Sequence, residues 1–158
     1  MNVVGCDYSA SEAFLAVTHD ESVVHSSKWK LGGDLSQQRH NYFQELQMAF
    51  DALHIDKICE PILYMEEPWI NGMKFPQAGI KLARNSAYIE LAAITMGYTV
   101  VHVHVMTWRK GVYGNGKPQD PKGTAKAFCL YNLGFETKNH NIAEAACISY
   151  YGSKQGQP

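Results

Sequence analysis

Residues 2–31 read "NVVGCDYSASEAFLAVTHDESVVHSSKWKL". The stretch contains three apolar runs, "NVVGCDY" (2–8), "EAFLAVTH" (12–19) and "SVVHSSKWKL" (22–31). "SAS" and "DE" join them. Connections this short close β-hairpins, so three consecutive antiparallel strands are expected. Asp7 ends the first run. A charge in so apolar a run is costly to bury unless it is paired or metal-bound. Alternatively, Asp7 initiates the turn that follows.

The rest of the chain is organised around these strands. "GGDLSQQ" breaks the pattern, and Ser36 or Asp34 can cap a helix reaching about Leu53. Tyr42, Phe43, Leu46, Ala49, Phe50 and Leu53 recur at helical spacing, which gives that helix a buried face. "PILYMEEP" (61–68) reads as a compact strand stopped by two acids and Pro68. A long helix is expected over about 76–96, ended by Gly97. "YTVVHVHVM" supplies a fifth strand, "TWRKGVYG" a short helical turn, and "NGKPQDPKG" a loop. Two helices, about 123–133 and 141–152, follow.

The order β-β-β-α-β-α-β-α-α calls for hairpins first and right-handed parallel crossovers afterwards. An α/β fold meets both demands: a mixed five-stranded sheet, order 3-2-1-4-5, strand 2 antiparallel, with helices on both faces. A single domain over 1–152 is expected, with 153–158 as a flexible tail.

Composition agrees with a globular domain, at 158 residues, 46% hydrophobic and 18% charged. No apolar run approaches the roughly 20 residues of a membrane span, and the start of the chain lacks a signal-peptide pattern. Cys6, Cys59, Cys129 and Cys147 lie far apart among apolar neighbours and read as reduced core thiols, which suits the cytoplasm. Residues 1–68 hold four Lys or Arg against eleven Asp or Glu, whereas residues 69–126 hold eight against two. That basic middle is either a phosphate-contacting surface or a solvated face.

In this sheet strands one and four are neighbours, so Asp7 and Glu66 both end at the C-terminal edge, where open α/β sheets place their sites. Glu66 and Glu67 are consecutive on a strand and point to opposite faces, so one of them can join Asp7. Spacing does not choose between them. "NHNIAEAACISYYG" (139–152) opens on polar residues, with Asn141 and Glu144 three apart. That spacing fits a capping box, and equally two ligands on one helical face. His102 and His104 are expected on one strand face, as hydrogen-bonded histidines or a pair of metal ligands.

Five motifs then fall in register: "VVGCDYS", "LYMEEPW", "AGIKLARNSAYIELA", "WRKGVYGNG" and "IAEAACISYYG". Through them the chain resembles the RuvC-like Holliday junction resolvases of the ribonuclease H-like superfamily. The resemblance implies an endodeoxyribonuclease that cuts four-way or branched DNA by paired phosphodiester hydrolysis, leaving 5′-phosphate and 3′-hydroxyl ends. It implies two Mg²⁺ ions per site, with Mn²⁺ able to substitute, a homodimer with the 76–96 helix at its interface, and no nucleotide cofactor or membrane. All-oxygen ligands suit such hard ions.

The resemblance also implies residue roles. Asp7, Glu66 and Glu144 become the acids, and Asn141 stands where the family carries Asp. His140, one position away, competes with it as a ligand. Lys122 joins the catalytic set. Trp69, Lys74, Lys81, Arg84, Arg109, Lys110, Lys117 and Lys122 become DNA contacts. With two other acids needing a partner, Glu144 is read as ligand rather than cap. Two rivals remain: a ribonuclease H-like nuclease acting on RNA or flap DNA, and a junction-binding protein with weak catalysis, which the Asn141 departure motivates. An actin-like kinase would need phosphate-loop glycines after strand one, and they are missing.

Overall fold

A computed structural model describes residues 3–30, 35–52, 61–68, 76–114 and 118–155. Its strands are β1 (Val3–Tyr8), β2 (Glu12–His19), β3 (Ser22–Lys30), β4 (Ile62–Glu66) and β5 (Thr99–Val103). Its helices are α1 (Leu35–Ala52), α2 (Pro76–Thr95), α3 (Val105–Tyr113), α4 (Pro121–Leu133) and α5 (His140–Lys154). They form a single five-stranded sheet in the order β3-β2-β1-β4-β5. β2 runs antiparallel to β1 and β3, while β1, β4 and β5 are parallel. This is the topology expected from the connection lengths. The "DE" hairpin holds Asp20 and Glu21 at φ of 46° and 61°, the left-handed pair a two-residue turn needs to match strand twist.

Strand alternation sorts the core into two layers. Val4, Cys6, Leu63 and Met65 face Tyr42, Leu46 and Ala49 of α1 and Ile89, Ala92 and Ala93 of α2. Val3, Ile62 and Tyr64 face the other way, toward Trp108 of α3, Ala125, Cys129 and Leu133 of α4, and a run of α5 from Ala143 to Ile148. Gly5 belongs to this second side. A Cβ there would fall on the Ala145 carbonyl and the Ser149 amide of α5. Glycine therefore lets the α5 backbone lie directly on β1.

A buried hydroxyl fixes the same contact. Ser149 Oγ donates to the Val3 carbonyl at 3.0 Å and accepts the Thr18 amide at 3.0 Å. Thr18 Oγ1 lies 2.8 Å away. Because the Ser149 proton is already used, the Thr18 hydroxyl is the donor in that third bond.

The boundaries depart from expectation at three places. β5 stops at Val103, and His104 turns out at φ −68°, ψ 138° to cap α3, its side chain accepting the Met106 amide at 3.2 Å. The two histidines thus do not share a strand face. His102 instead meets Glu90 at 3.2 Å. The short turn expected at "TWRKGVYG" is a nine-residue helix because it recruits Val105 and Met106 from the apparent strand. At α5 the cap is Asn139, whose Oδ1 accepts the Asn141 amide at 3.0 Å, so Asn141 is not the cap. Three consecutive polar residues offered the role, and the chain leaves the extended region at the first.

α5 continues to Lys154, two residues into the segment expected as a tail. Cys6, Cys129 and Cys147 are buried free thiols, and Cys59 lies outside the described residues. Among the described residues, no helix is long and apolar enough to cross a membrane.

Candidate active site

The parallel register decides which glutamate meets Asp7. β1 and β4 pair from Val3 with Ile62 to Cys6 with Met65. Continuing by one residue sets Asp7 beside Glu66. Both share the side of Gly5 and Tyr64, toward α5, and Glu67 faces the opposite way and is exposed. Glu144 arrives from the second turn of α5 and is 8% exposed. The close seat of α5 on Gly5 determines its height above the strands.

The three acids feel one another. Asp7 retains some solvent exposure, but its carboxyl is densely surrounded. Burial pushes it well above the usual carboxylate range, and the charges of Glu144 and then Glu66 push it further. The Tyr8 amide and Arg109 pull it back. Burial also raises Glu66, against a hydrogen bond from Trp108 and the charge of Arg109. Like charges held this close favour the protonated forms until a cation compensates them.

Two consecutive residues of α3 hold two of the acids. Trp108 is fully buried, with its ring edge-on to Tyr113 at 5.9 Å, and its Nε1–H donates to Glu66 Oε2 at 2.8 Å. Arg109 Nη2 donates to Glu144 Oε1 at 2.5 Å. The Arg109 guanidinium also lies 5.1 Å from the centre of the Trp108 ring, within cation–π range. Tyr8 completes the frame, its hydroxyl donating to the Glu66 carbonyl at 2.7 Å. Burial pushes the Tyr8 phenol up, so it remains a donor at neutral pH.

The other sequence-designated residues are more scattered. Arg109, expected as a DNA contact, is spent on Glu144 in this structure. His140 and Asn141 occupy the first turn of α5, half-buried, and Asn141 lies three residues before Glu144 on the same helical face. Lys122 is exposed on the first turn of α4 and makes no ion pair among the described residues. Lys81 and Arg84 are exposed on α2, and Lys110 on α3. Trp69, Lys74 and Lys117 lie outside the described residues. Sequence reasoning missed the roles of Trp108 and Tyr8. A Trp beside an Arg in a short amphipathic helix was the available signal, since buried indoles seek an acceptor.

The donor set fits a hard divalent cation in kind. It is all oxygen and made of three carboxyl groups, and the charges of Glu144 and Glu66 raise the affinity of Asp7 for positive charge. Among the described residues, however, no three Asp, Glu, His or Cys side chains converge tightly enough to hold one ion as they stand. Arg109 is the cation engaged.

No protein-family model matches the sequence, and no curated protein matches it significantly. Structural comparison is informative. The architecture and the sheet order define a ribonuclease H-like fold. Within it, the chain superposes on Thermus thermophilus RuvC with a TM-score of 0.74 and 15% identity, covering 97% of this chain and 93% of that one. It superposes equally on T. thermophilus RuvC in complex with a Holliday junction substrate, with a TM-score of 0.74 and 14% identity over 96% and 92% of the two chains. The chain has the RuvC fold.

Proposed function

We propose that the chain is a metal-dependent endonuclease that resolves four-way DNA junctions. The observation that carries this reading is the meeting of Asp7, Glu66 and Glu144, from β1, β4 and α5, at one sheet edge of a RuvC fold. One of the superposed structures holds a Holliday junction substrate. Asp7, Glu66 and Glu144 would be the residues that hold a Mg²⁺ or Mn²⁺ pair. Asn141, or His140 beside it, adds a neutral ligand next to Glu144. When bound, such a pair would supply an activated water and offset charge on the leaving 3′ oxygen, consistent with 5′-phosphate and 3′-hydroxyl products.

The chain's own groups set the stage. Trp108 fixes Glu66 through Oε2, which would leave Oε1 to hold an ion, and Tyr8 pins the same residue through its carbonyl. Lys122 approaches the scissile phosphate, Lys74, Lys81, Arg84, Arg109, Lys110 and Lys117 contact the flanking backbone, and Trp69 stacks on an unpaired base near the junction centre. Paired cuts on a nearly two-fold substrate call for two copies. Ile80, Ala87, Leu91 and Ile94 recur at helical spacing along the exposed side of α2, with Ile80, Leu91 and Ile94 at 68%, 62% and 54% exposure. That stripe is the kind two helices bury against each other.

The test is cleavage of a synthetic junction in Mg²⁺, compared with matched duplex, flap and RNA–DNA hybrid. Junction-selective paired nicking by the wild type and its loss in Asp7→Asn, with binding retained, are expected. Preference for the hybrid or flap, or full activity of Asp7→Asn, would overturn the assignment. Leu91→Glu with Ile94→Glu is expected to yield monomers by sedimentation.

A further inference from the structure

The Arg109–Glu144 contact is sheltered, with 24% and 11% of the two side chains exposed. A pair this enclosed is weakly screened by salt. Its geometry is nonetheless incomplete. The guanidinium meets Glu144 through one nitrogen, and its Nε is buried without a hydrogen-bond partner among the described residues. A guanidinium placed purely to brace two elements would present its two-pronged edge to the carboxylate. Here it makes a one-point hold and keeps the indole of Trp108 beneath it as a second resting place. The same charge acts on Asp7 and Glu66. Glu144 is therefore tied to a cation supplied by the protein, and the three acids do not converge on one point.

Resting on the reading of Asp7, Glu66 and Glu144 as the metal-holding set, we propose that Arg109 is a latch. In the DNA-free protein it serves as counter-ion to the cluster and keeps a Glu144 oxygen engaged that an ion would otherwise use. A phosphate of the arriving DNA draws the guanidinium away and releases Glu144. Arg109 thus acts through Glu144 as a positioning residue, and its DNA contact and its acid contact are alternatives. By linkage, backbone phosphate and divalent cation then favour each other's binding, so the site loads fully when substrate is present.

The experiment is Mn²⁺ binding to the intact DNA-free protein, with free ion counted by electron paramagnetic resonance. Arg109→Gln is expected to bind Mn²⁺ about five-fold or more tightly than wild type, the lower end of usual coupling between sites. Lys126→Gln, which removes one exposed positive charge of α4, controls for net charge and is expected to match wild type. Equal or weaker binding by Arg109→Gln overturns the latch, as does an equal gain in Lys126→Gln. Asp7→Asn separates the two readings. If it loses Mn²⁺ while Arg109→Gln gains nothing, the latch fails and the metal site stands. If it binds like wild type, the site itself is wrong. Wild type gives an independent readout if Arg109→Gln does not fold. The Arg109 Nε–H resonance is expected to shift in step with Mg²⁺ saturation, and a resonance unmoved at saturation overturns the proposal.

Discussion

On one face of the sheet, α5 lies on β1 through Gly5, Ala145 and Ser149, and the hydroxyls and amides between them are all paired. On the other face, α1 stands off on Tyr42 and Leu46, with Trp29 and Tyr42 edge to face at 5.8 Å. There, His25 Nε2, Ser27 Oγ, Trp29 Nε1, Tyr42 OH and Glu45 Oε2 are buried without hydrogen-bond partners among the described residues. Small residues fix a distance, because backbone meets backbone and nothing can rotate aside. Large residues fill volume and adapt. The acids sit on the face whose spacing is fixed, as a site that depends on sub-ångström placement requires.

The sharpest way to break this contrast is the site itself. Asp7→Asn is expected to lower junction cleavage by about 10²–10³-fold, the scale of losing a preorganised electrostatic group, with gel-shift affinity unchanged. Next come opposite changes on the two faces. Leu46→Ala removes volume from the α1 side and is expected to cost about 2–5 kcal/mol in urea unfolding, leaving cleavage intact in the folded fraction. Gly5→Ala adds one methyl group on the α5 side and is expected to cost about 1–3 kcal/mol. It also displaces Glu144, so cleavage falls with it. Normal cleavage by Gly5→Ala would remove the argument from spacing.

Trp108→Phe keeps an aromatic ring but loses the N–H to Glu66. A loss of about 1.5–3 kcal/mol is expected, the range for hydrogen bonds to charged groups, together with weaker Mn²⁺ binding. Stability without metal carries a pH signature. The Asp7 and Glu66 carboxyls are raised above 3.8 and 4.5, so the folded state holds protons that the unfolded chain has already released. Stability therefore falls as pH rises through that window. Asp7→Asn is expected to melt with wild type near pH 4 and above it at pH 7, by about 2–4 °C for each kcal/mol relieved. The smallest effect belongs to the exposed Lys154–Glu21 pair. Lys154→Ala is expected to leave the melting temperature within about 1 °C.

The sheet order was legible because connection length alone separates hairpins from crossovers, and Asp7 and Glu66 because strand parity carries a side chain to a known face. Glu66 over Glu67 needed the register, which pairing rather than pattern supplies. The α5 cap was not legible, since Asn139, His140 and Asn141 are all polar and the helix can begin at any of them. His104 was misplaced because "VHVHV" alternates like a strand up to the residue that leaves it. The hold of Arg109 on Glu144 spans 35 positions and depends on how α3 is rolled against α5, which no local periodicity encodes.

The Ser149 hydroxyl joins positions 146 and 131 residues apart in the chain, through Val3 and Thr18. Closing loops of that length is the slow part of folding. The central acid comes from the first strand and the last from the final helix, so the site matures late. Until α5 docks on β1, Asp7 and Glu66 are two carboxylates without Glu144 or the Arg109 that holds it, so the proposed chemistry would wait for the sheet and its covering helix to be in place.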